Sequence, residues 1–295
     1  MLALIDADII TYRSAFAAEH VHYKIFKPHD RKDQEPYFEE VSTAASKVDL
    51  DTWFTCNNAD PEDYLVERVK VFDGPEVAKM AAKAIMESIL DKLQVNDYQA
   101  YLTGEGNYRF KRATIKPYKG HRPEKPKYHT VVRDYLINYW KAEVVEGMEA
   151  DDRLGIEQYS MFSRAKCPSF GIDKTKQDLQ LECNTVICSI DKDLKMIPGW
   201  HYNFVADEKV WIDEIEAYRN FYRQCITGDT TDNIPGLFQI TGRKATNQVV
   251  AGLEDCTTIA EISGYVADLY KGYEKELDEI SDLLWICRQP EDVLV

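Results

Sequence analysis

Nine carboxylates of this chain fall in tight groups: Asp6 and Asp8, then Glu149, Asp151 and Asp152, then Asp191 and Asp193, then Asp229 and Asp232. Carboxylates crowded together repel, and their pKa values rise unless a cation neutralises them. An oxygen donor set without His or Cys suits Mg²⁺ or Mn²⁺. Two such ions about 4 Å apart are the usual device for in-line displacement at a phosphodiester, one activating the attacking water and the other stabilising the leaving oxygen. Asp229 and Asp232 lie in GDTTDNIPG (228–236), a segment of turn formers. Their spacing of three would let both face a metal from one helical turn. Arg243 and Lys244 follow at an expected helix start, a candidate phosphate-binding element. Taken singly, each acid is explained as an N-cap or as a favourable charge at a helix N-terminus. Only their convergence argues for a site.

Convergence requires elements that deliver them. Short apolar runs at 2–5, 98–102, 142–145 and 186–190 read as buried strands. Between them, residues 75–93 place Val77, Met80, Ala81, Ala84, Ile85 and Ile89 at helical spacing, and 130–141 and 150–165 read as further helices. Strands alternating with helices predict an α/β layer around a mainly parallel sheet. Parallel strands put their C-terminal ends on one edge, where ligands bind. Asp6 and Asp8, the 149–152 acids, and Asp191 and Asp193 each follow one strand, so three strand ends bring seven carboxylates to one rim. Beyond about 212 the strand signals fade, and 213–227, 243–252, 257–271 and 273–287 read as helices. This predicts a catalytic domain over 1–212 and a helical region over 213–295. Residues 19–74 read as a polar, irregular insertion without assignable chemistry.

The charge is unevenly spread. The 295 residues include 36 Lys and Arg against 51 Asp and Glu, a formal net charge of −15, which by itself argues against a polyanionic partner. Yet residues 109–141 hold ten bases (Arg109, Lys111, Arg112, Lys116, Lys119, Arg122, Lys125, Lys127, Arg133 and Lys141) against Glu124 and Asp134. That stretch is net +8 inside a remainder of net −23. It supplies a local attraction for nucleic acid that the total hides. With 44% hydrophobic residues the composition is ordinary for a globular protein. No membrane span, signal peptide or zinc-spaced cysteine group is read, and the scattered thiols predict a reducing, cytoplasmic setting.

The motifs resemble those of the 5′–3′ exonuclease and flap endonuclease family, particularly phage exonucleases and the 5′-nuclease domain of bacterial DNA polymerase I. LIDADIITYRSAF (4–16) is similar to the family's first strand with its metal-binding Asp, here Asp6. GMEADDRLG (147–155), SIDKDLKMI (189–197) and GDTTDNIPG are similar to its later acidic motifs, and YKGHR (118–122) to its basic element. The resemblance implies a PIN-like α/β domain with a C-terminal helix–three-turn–helix. It implies one Mg²⁺ held by Asp6, Glu149, Asp151 and Asp152 and a second held by Asp191, Asp193, Asp229 and Asp232, with Mn²⁺ able to substitute. It implies a basic helical arch within 109–141 that threads or clamps a 5′ single strand. Lys119, Arg122 and Arg109 would then be catalytic. Lys111, Arg112, Lys116, Tyr118, Arg243 and Lys244 would contact DNA, with Tyr118 a candidate for base stacking. The implied partner is DNA with a 5′ end, as duplex, flap or RNA–DNA hybrid, and the implied setting is DNA replication by a phage-type monomer.

Two departures from the family pattern stand out. Thr103-Gly104-Glu105 occupies the place of a family Asp, and residues 237–242 lengthen a hairpin and lose a glycine. Two other readings stay open. One is a haloacid-dehalogenase-like phosphatase using Asp6 as nucleophile. The other is a structure-specific DNA-binding relative with a weakened site.

Overall fold

The computed structural model describes residues 1–31, 34–120, 123–168 and 174–293. The strands are β1 (Leu2–Asp6), β2 (Glu19–Arg31), β3 (Gln34–Ala44), β4 (Leu65–Phe72), β5 (Tyr98–Thr103), β6 (Glu143–Val145), β7 (Thr185–Cys188), β8 (Gly199–Asn203) and β9 (Glu208–Ile212). The helices are α1 (Ala7–Phe16), α2 (Lys47–Cys56), α3 (Pro75–Leu93), α4 (Arg109–Arg112), α5 (His129–Trp140), α6 (Ala150–Lys166), α7 (Lys176–Glu182), α8 (Glu214–Thr227), α9 (Leu237–Thr241), α10 (Asn247–Ala251), α11 (Ile259–Leu269) and α12 (Glu274–Leu284). None of them is long and apolar enough to cross a membrane, among the described residues.

The chain divides into two units. The first comprises Met1–Thr11, Ala84–Glu124 and Arg133–Val295 and holds the sheet β6-β5-β1-β7-β8-β9. All its pairings are parallel except β8 with β9. β1 has β5 on one side and β7 on the other, so Ala3, Leu4 and Ile5 are fully buried. A strand covered on both faces reads as an unbroken apolar run, as the sequence does here. The direction of strand addition reverses at β1, which places a crevice beyond its C-terminal end.

Helices α8 to α12 pack in this same unit. One apolar cluster joins Leu4 and Ile187 of the sheet to Phe221, Ile226, Val266, Ile280 and Leu284 of the later helices. The two units therefore do not part near residue 212. The edge of the sheet adds two strands, residues 199–203 and 208–212, that no apolar run predicts. The helix expected over 243–252 forms only at Asn247–Ala251, after a separate turn of helix, α9, that ends at Gly242 with φ +76. Within 109–141 the described residues form the helices α4 and α5, with 113–120 and 123–128 non-helical between them.

The second unit comprises Tyr12–Lys83 and Lys125–Val132. It holds the antiparallel sheet β3-β2-β4. The residues expected to be irregular are thus mostly ordered strand. Tyr23, Ile25, Ala44 and Val66 pack with Leu50, Trp53, Phe54 and Tyr64 around α2. Ser46 caps α2, its hydroxyl accepting from the Asp49 N–H.

Candidate functional site at the strand ends

The acids gather where β1, β6 and β7 end. Asp6, the last residue of β1, is buried, accepting from the Ile9 N–H at 3.1 Å and the Ser189 hydroxyl at 2.7 Å. Burial, then the neighbouring Asp8 charge, pushes its pKa up to about 7. Asp8 reaches to the end of β5, where it accepts from the Thr103 N–H at 3.0 Å, and Arg133 lies 3.6 Å from it. Thr103 begins the Thr103-Gly104-Glu105 segment that the sequence sets in the place of a family Asp. Its hydroxyl accepts from the Ala150 N–H and its carbonyl from Arg133, so it ties β5 to the start of α6.

Glu149 is the N-cap of α6, and Asp151 and Asp152 occupy its first turn. Asp151 has its pKa raised by burial and by the charges of Asp6, Asp191 and Glu149. Asp191 and Asp193 follow β7, where the Asp193 N–H donates to Asp191 at 2.8 Å and Gln224 donates to Asp193. Both are raised by burial, Asp193 to about 7 with the Asp191 and Asp229 charges adding to it. Asp229 and Asp232 sit in a tight turn: Asp229 accepts from the Thr231 and Asp232 N–H groups and pairs across the turn with Ile234. Gly228 (φ +71) and Gly236 close this turn. A Cβ on either would lie 2.5 Å from the other's backbone nitrogen, so both ends of the segment require glycine.

Besides Arg133 at Asp8 and Arg109 at Asp152, the basic segment meets these acids at the Tyr118–Lys119 step. The Tyr118 hydroxyl lies 3.1 Å from Glu149 and 2.9 Å from Asp232, sharing one proton between them. The Lys119 ammonium donates to Glu149 and lies 3.7 Å from Asp232. The backbone is stitched as well: the Lys119 N–H donates to the Asp232 carbonyl at 2.9 Å and the Asn233 amide to the Pro117 carbonyl at 2.9 Å. Tyr118 is buried in the core, so the stacking role expected of it does not fit its placement.

Arg109 and Asp152 are not presented to a ligand. Arg109 forks onto Asp152 at 2.6 and 2.8 Å, with side chains 2% and 0% exposed. Two more of its N–H groups donate to the carbonyls of Leu283 and Trp285. Asp152 further accepts from the Glu149 N–H and the Cys287 N–H, both at 3.0 Å. Burial works to raise its pKa, but Arg109 and these N–H groups hold it below the ordinary value. The pair therefore positions Glu149 instead of binding metal or phosphate, which corrects the roles expected of both residues.

α12 holds the segment's root. Buried Glu279 accepts from the Thr114 N–H at 2.6 Å, the Ile115 N–H at 2.8 Å and the Thr114 hydroxyl, while Arg112 pairs with Asp282 at 2.5 Å. Neither Glu279 nor this clasp was legible in the sequence. Lys111, Lys116 and Lys244 are exposed. Arg243 donates to the Leu269 carbonyl at the end of α11. Arg122 lies outside the described residues.

Among the described residues, no three Asp, Glu, His or Cys side chains take up an arrangement that would hold a metal ion. Several of these carboxylates accept from N–H and O–H donors, among them Asp6 from Ser189, Glu149 from Tyr118 and Asp229 from the Thr231 N–H. The donor chemistry nevertheless fits a hard cation. The grouped acids offer oxygen alone, and the charges that raise Asp6, Asp151 and Asp193 are those of their own neighbours.

No protein-family model matches the chain, and no curated protein matches its sequence. Among solved structures it is similar to the bacteriophage T5 D15 flap endonuclease, crystallised as a pseudo-enzyme–product complex with DNA and metal ions. The TM-score is 0.52 at 12% identity, over 96% of this chain and 88% of that one. The chain has the PIN-like flap endonuclease fold, with a mostly parallel sheet flanked by helices.

Proposed function

We propose that this chain is a divalent-metal-dependent 5′ nuclease that hydrolyses phosphodiester bonds in DNA carrying a 5′ end. The observation that supports it best is the meeting of an all-carboxylate group, at the ends of β1, β6 and β7, with the Tyr118–Lys119 step of a net-positive segment. Asp6, Glu149, Asp151 and Asp191 would hold one Mg²⁺, and Asp193, Asp229 and Asp232 would serve a second. Bound there, such ions supply an activated water and stabilise the leaving oxygen. The chain's own residues do the rest. Lys119 offers its ammonium to a phosphate oxygen, Tyr118 holds Glu149 and Asp232 in register, and Arg109–Asp152 fixes the start of α6. Lys111, Lys116 and Arg122 add attraction along the backbone of the strand. The expected acting form is a monomer in the cytoplasm, in DNA replication.

A second reading, a DNA-binding relative that does not cut, draws on the number of acids already held by N–H and O–H donors. One experiment separates the two. With 5′-labelled duplex, flap and RNA–DNA hybrid substrates, Mg²⁺ should support cleavage and EDTA should stop it. Asp191→Asn should abolish cleavage while DNA binding stays within about threefold. Unchanged turnover in that variant would defeat the nuclease reading, whereas binding by the wild type without cutting under any divalent ion would establish the second.

A further inference from the structure

We propose that Phe110 is a platform on which one unpaired base of the bound DNA stacks. The proposal rests on the nuclease reading and names a contact that its single-stranded substrate would make.

Phe110 sits on the single turn of α4 and is 60% exposed. Scattered exposed apolar residues are normal on protein surfaces. Three observations set this one apart. Its ring meets Tyr118 edge to face, with centroids 5.4 Å apart and planes at 76°. Tyr118 in turn reaches Glu149 and Asp232 through its hydroxyl, so one side chain separates Phe110 from the acids. Next, exposed Lys111 and Lys116 follow it in sequence, in a stretch of net +8. Aromatic rings interleaved with cations are how proteins hold single strands, since every base has a π-face and every linkage a phosphate. Finally, the turn is anchored on both sides, by Arg109 at Asp152, Leu283 and Trp285, and by Arg112 and Thr114 at Asp282 and Glu279. A turn held this firmly loses little backbone freedom when a base settles on its ring, which favours binding. Stacking would seat a base close to the acids and fix which linkage lies over them.

The test uses the full chain in EDTA, with a 5′-flap oligonucleotide carrying 2-aminopurine in its single-stranded arm and a blunt duplex as control. Wild type should quench the 2-aminopurine on binding. Phe110→Ala should bind the flap roughly 5- to 150-fold more weakly, the range for loss of one stacked base, and should lose the quench. Phe110→Trp should keep both, and blunt-duplex affinity should stay within twofold throughout. Losing the edge contact with Tyr118 should lower the thermal midpoint of Phe110→Ala by only a few degrees, leaving the variant folded at the assay temperature. A Phe110→Ala variant with wild-type flap affinity and quenching would overturn this inference alone. A wild type that binds neither DNA would overturn the nuclease reading and this proposal with it.

Discussion

Replacing Arg109 by Met should unfold the chain at a markedly lower temperature. The guanidinium makes four hydrogen bonds, two to Asp152 and two to main-chain carbonyls, in a place where neither charged side chain is more than 2% exposed. Breaking a buried pair by removing one partner costs about 3–5 kcal/mol, because a carboxylate is left without its counter-charge. Asp152 would keep the N–H groups of Glu149 and Cys287, which argues for about 4 kcal/mol, not more. At roughly 2–4 °C per kcal/mol for a protein of this size, the midpoint should fall by about 8–16 °C. Arg109→Lys should recover only part of the loss, since a single ammonium cannot reproduce a planar fork.

The assay is thermal unfolding by circular dichroism, with hydrogen exchange to locate the loosening at the start of α6 and the end of α12. Adding Asp152→Asn to Arg109→Met removes the stranded charge, so the double variant should be more stable than the single one. The pH dependence carries a further signature. Without Arg109, the buried Asp152 carboxyl would hold a proton at higher pH, so the deficit should be smaller at pH 5 than at pH 8. A single variant melting within 2 °C of wild type, or a double variant no better than the single, would show that the pair does not hold this site.

In EDTA the wild type should melt lower at pH 7.5 than at pH 5. Asp6 and Asp193 keep protons up to about 7 in the fold but release them near 3.8 when unfolded, so the unfolded state gains as pH rises between these values. Excess Mg²⁺ should narrow the difference; a scan flat in pH would refute the burial of these carboxylates and the crowding that adds to it. Glu279→Leu should leave the N–H groups of Thr114 and Ile115 without their acceptor, weaken DNA binding and flatten its salt dependence, and Glu279→Gln should restore both. Salt titrations of the dissociation constant check this, and an unaltered slope in the Leu variant would remove the clasp from any part in DNA binding.

The sheet was readable because its central strands are buried on both faces and appear as apolar runs, with the acids starting where the runs stop. What escaped had weaker or competing signals. In β2, His20-Val21-His22-Tyr23-Lys24-Ile25 alternates with a period of two, but its polar partners made it look like loop. The basic segment carries Pro117, Gly120, Pro123 and Pro126, residues that oppose a helix, and the resemblance to an arch outweighed that local chemistry. Arg109 shows a different limit. One base among ten on a basic stretch gives no sign that it folds inward, because its partner Asp152 is 43 residues away.

The same limit explains why the boundary near 212 misled. Residues 109–120 have one helical turn and no strand pairing, so they cannot stiffen themselves. They take their rigidity from α12 and the residues after it, through Arg109 to Leu283 and Trp285, Arg112 to Asp282, and Thr114 and Ile115 to Glu279. Gly155 continues the contact on α6, where a Cβ would lie 2.4 Å from the Cys287 carbonyl. The sheet supplies most of the acids of the candidate site, while the C-terminal helix fixes the bases that face them. A division near 212 separates the basic segment from the α12 groups that hold it, and the net charge of −15 conceals that three carboxylates, Asp152, Glu279 and Asp282, keep that segment in place.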